Sequence, residues 1–402
     1  MLVRFLVARS GAGNQDQLDK FFKNCHLGEA VHSTAFVKSR KKLKAAAFVE
    51  LSDRLLSRFY ASPMAKRWNG FVLCAIDGSG LLIPDTPDVR KEFPPEMDFG
   101  DKNKELNGRG VICYDVLNGM VVKSGFGGMA TGEREYAAQI LKEIQGMNAL
   151  VLLDRGFPAA WLFTLLFALK INFCARMPDS FTCVRKFRKS KRREQVVTLT
   201  HSHMSEKSCA KHDIPPEGVT VRLIRVKIPG GKSAVLATSL MDAEVYPAET
   251  FGELYRKRWG VESGFLKLKC FEQIEAFSGL SGLSVRQDFH ARMMAHNLAS
   301  LITCEAREKV ERQMADEIAD ESHRRTQMRR LNGKYATDTL RADGLRLFTL
   351  GFSVSVYRKL IRLISKRTEA VRPERKFRHK RRKGPKLNRL SARPGPHRRC
   401  AA

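Results

Sequence analysis

The chain has 402 residues, of which 43% are hydrophobic, so it can bury a sizeable core and form two or three domains. Its 72 lysines and arginines against 42 acidic residues give a net charge of +30, which favours nucleic acid as the partner, although ribosomal, heparin-binding and membrane-surface proteins share this balance. Nine cysteines without a CxxC pair argue against a disulfide framework, and the longest apolar run, AAWLFTLLFAL, is shorter than the roughly 20 residues of a membrane span, so we expect a cytoplasmic protein.

Residues 1–65 are predicted to form a helical N-terminal region that binds DNA. Ser33 is a candidate N-cap for a helix through TAFVKSRKKLKAAAFVEL, in which apolar side chains recur on one face. The same segment crowds together four basic residues, Lys38, Arg40, Lys41 and Lys42. We interpret them as DNA contacts; the alternative is the solvated basic face of a packing helix.

Residues 66–177 alternate strands with helices, as expected of the first part of an α/β catalytic domain. Strand-like runs are GFVLCAID, RGVICYDVLNGMVVKSGFG with a hairpin signal at Asn118-Gly119, ALVLLD and INFCARM. Residues 178–247 then read as an inserted β-rich subdomain, built from QVVTLT, VTVRLIRVKI and SAVLATSL. The second part of the catalytic domain follows over 248–312, then a helical region over 313–365 and a basic, disordered tail over 366–402.

Two aspartates stand where apolar runs end, Asp77 in CAIDGSG and Asp154 in LVLLDRGF. A carboxylate at the end of a buried strand is held rigidly at the edge of the sheet, where ligands bind, and suits a metal ion. Taken singly, each aspartate could instead cap a turn. Four further acids rank below these two as candidate ligands: Asp85, Asp88, Asp115 and Glu133.

The segment YRKRWGVESGFLKLK contributes a third acid. On a helix turning roughly 100° per residue, four of its polar side chains fall within about 60° of one another: Tyr255, Arg258, Glu262 and Lys269. The alternative is an ordinary exposed face with an i,i+4 ion pair. Gly260 and Gly264 argue against a helix selected for stability, since each costs up to about 1 kcal/mol relative to alanine.

These residues resemble the DDE transposases of the insertion-sequence-4 group, bacterial enzymes marked by a Tyr-x2-Arg-x3-Glu-x6-Lys motif. The motif is complete here, and AIDGSGLLIPDTP, LLDRGFPA and the Lys-Ser-Arg-Lys-Lys segment near residue 40 are similar to the family as well. The resemblance covers most of residues 20–310. It implies an α/β, ribonuclease-H-like (retroviral-integrase-like) mixed sheet, with the β-rich subdomain inserted before the helix that carries the glutamate.

The resemblance also implies a mechanism. Asp77, Asp154 and Glu262 would hold two Mg²⁺ ions about 3.5–4 Å apart, with Mn²⁺ able to substitute. The reaction would be strand hydrolysis at each transposon end, followed by attack of the freed 3′-hydroxyl on target DNA. The expected partners are DNA and a second copy in a homodimer, with the protein at the nucleoid when bound. The expected DNA contacts are Tyr255, Arg258, Lys269 and Arg155.

Several interpretations stay open. The family's base-stacking tryptophan is expected in the β insertion, but only Trp161 and Trp259 flank it; core packing is favoured for both, with Trp259 kept as a candidate DNA contact. Arg155 either meets a phosphate or pairs with a carboxylate. A cluster of histidines and a cysteine has no zinc-site spacing and is predicted to be a polar loop: His201, His203, Cys209 and His212. The rival functions are a related metal-dependent DNA endonuclease and a decayed DNA-binding relic.

Overall fold

The computed structural model describes residues 1–9, 13–95, 105–227, 233–319, 328–343 and 353–371. Residues 372–402, which make up most of the predicted basic tail, lie outside the described residues. So does the stretch 344–352, which is part of the helical region predicted over 313–365. No helix of the described ranges is long and apolar enough to cross a membrane.

The N-terminal region is helical, as predicted. Its helices are α1 (Leu2–Ala8), α2 (Asn14–Asn24), α3 (Ser33–Arg40) and α4 (Ala46–Tyr60). The prediction of one helix through this basic segment is wrong, because the chain leaves α3 after Arg40 and starts again at Ala46. The amide of Gln287 donates to the carbonyls of Arg40 and Leu43 at 3.0 and 2.6 Å, which satisfies backbone groups that the break leaves open. The N-cap is His32 rather than Ser33.

The central domain consists of eight strands and the helices between them. They are, in chain order, β1 (Val72–Leu82), α5 (Pro87–Glu92), β2 (Asn107–Asp115), β3 (Met120–Gly128), α6 (Glu133–Glu143), β4 (Ala149–Leu153), α7 (Ala160–Ala168), β5 (Asn172–Arg176), α8 (Thr182–Lys189), β6 (Glu194–Leu199), α9 (His203–Lys211), β7 (Val219–Lys227) and β8 (Ser233–Thr238). Every strand run expected from the sequence is present. The hairpin at Asn118-Gly119 is confirmed, with Gly119 at the positive φ of 76° that such a turn needs.

All eight strands form one sheet in the order β3-β2-β1-β4-β5-β8-β7-β6. β1 pairs antiparallel with β2 and parallel with β4, and β4 is parallel to β5. This arrangement confirms the predicted ribonuclease-H-like fold. The predicted insertion supplies β6, β7 and β8, which extend the same sheet because β8 pairs antiparallel with β5.

The C-terminal part of the described chain is mainly helical. It comprises α10 (Phe251–Arg256), a 3₁₀ turn (Lys257–Trp259), α11 (Gly260–Cys270), α12 (Gly282–Ala319), β9 (Arg329–Leu331), α13 (Gly333–Asp343), α14 (Val354–Ser365) and β10 (Thr368–Ala370). Apolar side chains of α10, α11 and α12 cover one face of the sheet, among them Phe251, Val261 and Phe289. Those of α6 and α7 cover the other. The central strands of the sheet are therefore buried on both faces, and its edges are the places where polar groups can act.

Candidate active site

Asp77 and Asp154 lie side by side at one edge of the sheet. The parallel pairing of β1 with β4 ends with Ile76 opposite Leu153, and each aspartate is the next residue along its strand. Asp77 does not end its strand, as the sequence suggested, because β1 continues to Leu82 along β2 alone. The backbone amide of Gly78 donates to the Asp77 carboxylate at 2.9 Å, and that of Gly156 to the Asp154 carboxylate at 2.7 Å. Both carboxylates are thus fixed by main-chain geometry.

The proximity of these two like-charged carboxylates is electrostatically unfavourable. Burial, together with the nearby charge of Asp154, raises the pKa of Asp77 to about 6, against the opposing effects of the Gly78 amide and the Arg258 charge. Two carboxylates this close repel one another unless a proton or a cation comes between them. Such an arrangement is typical of a functional site rather than of a stabilising contact.

A fourth acid stands beside this pair, although the sequence ranked it lower. The Glu133 side chain packs against Gly78, so close that a Cβ atom added there would lie 2.8 Å from its carboxyl carbon. Arg109 donates to the Glu133 carboxylate at 3.1 Å and holds it in place. Only the packing of α6 on the sheet brings Glu133 to Asp77.

The polar stripe predicted from residue 255 to 269 is not one continuous helical face. A 3₁₀ turn interrupts the helix, which turns Tyr255 and Arg258 inward and leaves Trp259 64% exposed. The Tyr255 hydroxyl donates to the carbonyl of Leu153, directly before Asp154, at a long 3.4 Å. Arg258 donates to the Glu262 carboxylate at 2.6 Å. The Glu262 side chain is half exposed.

Helix α11 sits unusually close to the sheet, which explains its glycines. A Cβ atom on Gly264 would lie 2.9 Å from the ring of Tyr114 in β2, and one on Gly260 would lie 2.9 Å from Val116. The ammonium group of Lys269 donates to the carbonyl of Gly80 in β1 at 2.9 Å. The helix that carries Glu262 is therefore attached to the strand that carries Asp77.

The donor chemistry of this edge fits a hard divalent cation, because Asp77 and Asp154 present carboxylate oxygens in mutual repulsion. Glu262 is turned to Arg258 instead. Within the described ranges, no three histidine, cysteine, aspartate or glutamate side chains stand close enough to ligate one metal ion. Two of the three predicted ligands are thus together, whereas Glu262 is paired with Arg258.

The other predicted DNA contacts differ in their exposure to solvent. Lys38, Lys41, Lys42 and Arg155 are exposed. Arg40 is buried, and its guanidinium donates to Ser284, Gln287 and Asp288, so it has no surface to offer a phosphate and leaves the set. The core packing favoured for Trp259 is wrong, since its side chain faces solvent.

Trp161 and the histidine cluster are structural. Trp161 is buried and stacks on His212 with ring centroids 4.9 Å apart, as core packing requires. The segment predicted as a polar loop forms α9 instead, and the hydroxyls of Ser205 and Thr164 lie 2.8 and 3.0 Å from the ring nitrogens of His201. The buried Thr164 and Ser205 partners come from the fold, which is why sequence spacing could not show them.

Arg176 was not identified as a site residue from the sequence. Ala175 in β5 pairs with Leu153 in β4, so Arg176 comes next to Asp154 along the same edge. The available signal was a cation that ends the apolar run INFCAR. The edge therefore carries carboxylates on β1 and β4 and a cation on β5.

Comparison with known proteins identifies the family of this chain. A family model described as transposase DDE domain matches residues 68–298. The chain belongs to this family. It is 26% identical over 276 residues to the Escherichia coli (strain K12) transposase InsG for insertion sequence element IS4, covering 67% of the chain and 60% of that relative. The predicted resemblance to the insertion-sequence-4 group of DDE transposases is confirmed, and the match spans less than two thirds of that relative's length.

Among solved structures, a piggyBac transposase in a synaptic complex with hairpin DNA is similar over 73% of this chain and 57% of its own. The sequence identity is 12% and the TM-score is 0.38.

Proposed function

We propose that this DDE family member is a DNA transposase that cleaves the ends of an insertion sequence and joins the freed 3′-hydroxyl ends to target DNA. The observation that carries the proposal is the placement of Asp77 and Asp154 next to each other, directly after the paired residues Ile76 and Leu153 of the parallel strands β1 and β4, with the helix that bears Glu262 attached to β1. The net charge of +30 supports DNA as the substrate. Cleavage and joining are both displacements at phosphorus, so one carboxylate site can serve both.

Asp77 and Asp154, joined by Glu262, would hold Mg²⁺, with Mn²⁺ as a substitute. Bound there, the divalent metal would activate the attacking oxygen and stabilise the charge on the leaving oxygen. The proposal requires Glu262 to exchange the 2.6 Å contact with Arg258 for the site. Arg258 then has donors free for a backbone phosphate, which a planar guanidinium binds with two parallel hydrogen bonds.

The remaining motif residues divide into two roles. Tyr255 and Lys269 have internal partners, the carbonyls of Leu153 and Gly80, and we assign them to positioning the strands that carry the aspartates. Trp259, with its exposed ring next to Arg258, is an aromatic side chain that can stack on an unpaired base. DNA contacts by Arg155 and by Lys38, Lys41 and Lys42, and a homodimer that holds both ends, remain part of the proposal.

The test is strand-break mapping on labelled DNA from either side of the gene, with Mg²⁺. The wild type is compared with Glu262→Gln, which keeps the size of the side chain but removes its charge. We expect metal-dependent cleavage at a defined end, lost in the variant while DNA binding persists. Binding without cleavage by the wild type favours a decayed relic, and cleavage without joining favours a related endonuclease.

A further inference from the structure

One short segment concentrates positive charge in the insertion, away from the carboxylates. We call it the basic segment, and its cations, uninterrupted by any acid, are Arg185, Lys186, Arg188, Lys189, Lys191, Arg192 and Arg193. Helix α8 buries Val184 and Phe187 and so directs the charged side chains of its other faces outward. The segment then enters β6 at Glu194.

Most of this charge has no counter-charge among the residues that the structure describes. Arg188 pairs with Asp179 at 2.6 Å, and Arg193 with Glu249 at 2.8 Å in a pair that is largely exposed. The next acid, Glu194, is taken by Arg222 from β7. Arg185 donates to the carbonyls of Asp179 and Ser180 and to the hydroxyl of Thr182. The four remaining exposed cations form no side-chain hydrogen bond or ion pair with the described residues: Lys186, Lys189, Lys191 and Arg192.

The segment is held in place from the sheet. Arg225 in β7 donates to the carbonyls of Phe187 and Ser190 at 2.8 and 2.6 Å, and its guanidinium lies 5.3 Å from the centre of the Phe187 ring. These contacts fix the end of α8 and the turn after it. A cationic surface that is ordered before binding loses less conformational entropy when it meets a ligand.

Strand register places the basic segment at the same edge of the sheet as the carboxylates. Arg176, beside Asp154, pairs with Leu236; Leu236 pairs with Ile224; and Ile224 pairs with Glu194. Measured along the strands, the residues just before Glu194 therefore lie at the same height as Asp154 or beyond it. Measured across the sheet, they are four inter-strand steps from Asp154, through β5, β8, β7 and β6. At about 4.8 Å per strand, this is about 19 Å.

We propose that a DNA duplex whose scissile phosphate lies at Asp77 and Asp154 runs along this edge, so that its backbone contacts the basic segment. With a rise of about 3.4 Å per base pair, the contact falls about five to six base pairs from the cleaved bond. The inference rests on the proposed function and deepens it by assigning a path to the flanking DNA. Lysines of this kind bind phosphates without reading sequence, so the contact supplies affinity and orientation.

The test uses the full chain and a matched pair of double variants. Lys189→Gln with Lys191→Gln removes two charges from the basic segment. Lys142→Gln with Lys170→Gln removes two exposed charges near the opposite edge, at the end of α6 and before β5. Binding of a fluorescent random-sequence duplex is measured over a salt series, and phosphate-ethylation interference is mapped on the end fragment that the wild type cleaves.

We expect the slope of log affinity against log salt to fall by about 2 in the basic-segment variant and to stay unchanged in the control. Ethylation about five to six base pairs from the cleaved bond should weaken wild-type binding and have no further effect on the variant. Equal slopes in all three proteins, or equal losses in both variants, would overturn the inference. Absence of cleavage by the wild type would instead count against the proposed function, and the salt slopes would still test this surface.

Discussion

Two regions of the molecule bury charged groups and do so in opposite ways. Where α3 meets α12, Arg40 donates to Asp288 at 2.8 Å, and Asp288 also accepts from the backbone amide of Ser278 at 2.6 Å. At the sheet edge, Asp77 faces Asp154, a group of the same charge. A buried charge that has its partners is tolerated by the fold and becomes costly only when a partner is removed, whereas like charges held together by the backbone mark a place where a ligand is needed.

The largest expected effect follows from removing one charge at the sheet edge. Asp77→Asn and Asp154→Asn should each lower the cleavage rate by at least ~10³-fold, since metal stabilisation of the transition state contributes several kcal/mol. Both variants should be at least as stable as the wild type in metal-free buffer, because the repulsion is relieved. Cleavage assays check the predicted loss of activity, and thermal denaturation checks the predicted stability. A variant that loses activity only by unfolding would contradict the comparison.

Removing charge at the α3–α12 junction should have the opposite outcome. Arg40→Met leaves Asp288 buried beside fewer partners and should lower the free energy of unfolding by about 3–5 kcal/mol. Cleavage per folded molecule should stay near that of the wild type. Urea denaturation measures the loss, with the exposed neighbour Lys41→Met as the control, expected within about 0.5 kcal/mol of the wild type. A stable Arg40→Met protein with weaker DNA binding would return Arg40 to the DNA-binding surface.

The pH dependence of stability should also distinguish the sheet edge from the α3–α12 junction. The pKa of Asp77 is raised to about 6 in the folded chain, so its ionised form is the destabilised one. As pH falls from 7 through 6 towards 4, folded Asp77 takes up a proton before the unfolded chain does, which stabilises metal-free protein by roughly 2 kcal/mol. The difference between wild type and Asp77→Asn isolates this contribution from other carboxylates. A pH-independent difference would show that Asp77 titrates normally.

The smallest effect on stability is expected at the contact between Arg258 and Glu262. This contact is intermediate between the paired charges at the α3–α12 junction and the like charges at the sheet edge. Arg258 is 7% exposed but the Glu262 side chain is half exposed, so Glu262→Gln should cost about 1 kcal/mol of stability. A double-mutant cycle with Arg258→Met measures the coupling. A coupling well above this value would mean that the ion pair is a fixed structural contact and that Glu262 is not free to join the aspartates.

Much of the fold follows from local sequence. The alternation of apolar strands with helices predicts β1 to β5, and the Asn118-Gly119 turn predicts the hairpin, because both depend on side-chain periodicity and on backbone preferences of single residues. The spacing of Tyr255, Arg258, Glu262 and Lys269 likewise identifies the family motif. What a motif residue contacts was not predictable, since a 3₁₀ turn rotates Arg258 inward and Trp259 outward.

The sequence by itself determined the strands, the two aspartates that follow buried apolar runs and the excess of positive charge, all of which are properties of short stretches of chain. Tertiary structure alone decided that Arg40 is a core residue, that Glu133 reaches Asp77, and that the basic segment lies level with Asp154 across β5 to β6. These outcomes depend on strand register and helix packing between residues far apart in sequence, and a charged side chain looks the same in the sequence whether its partner is solvent or a distant carboxylate.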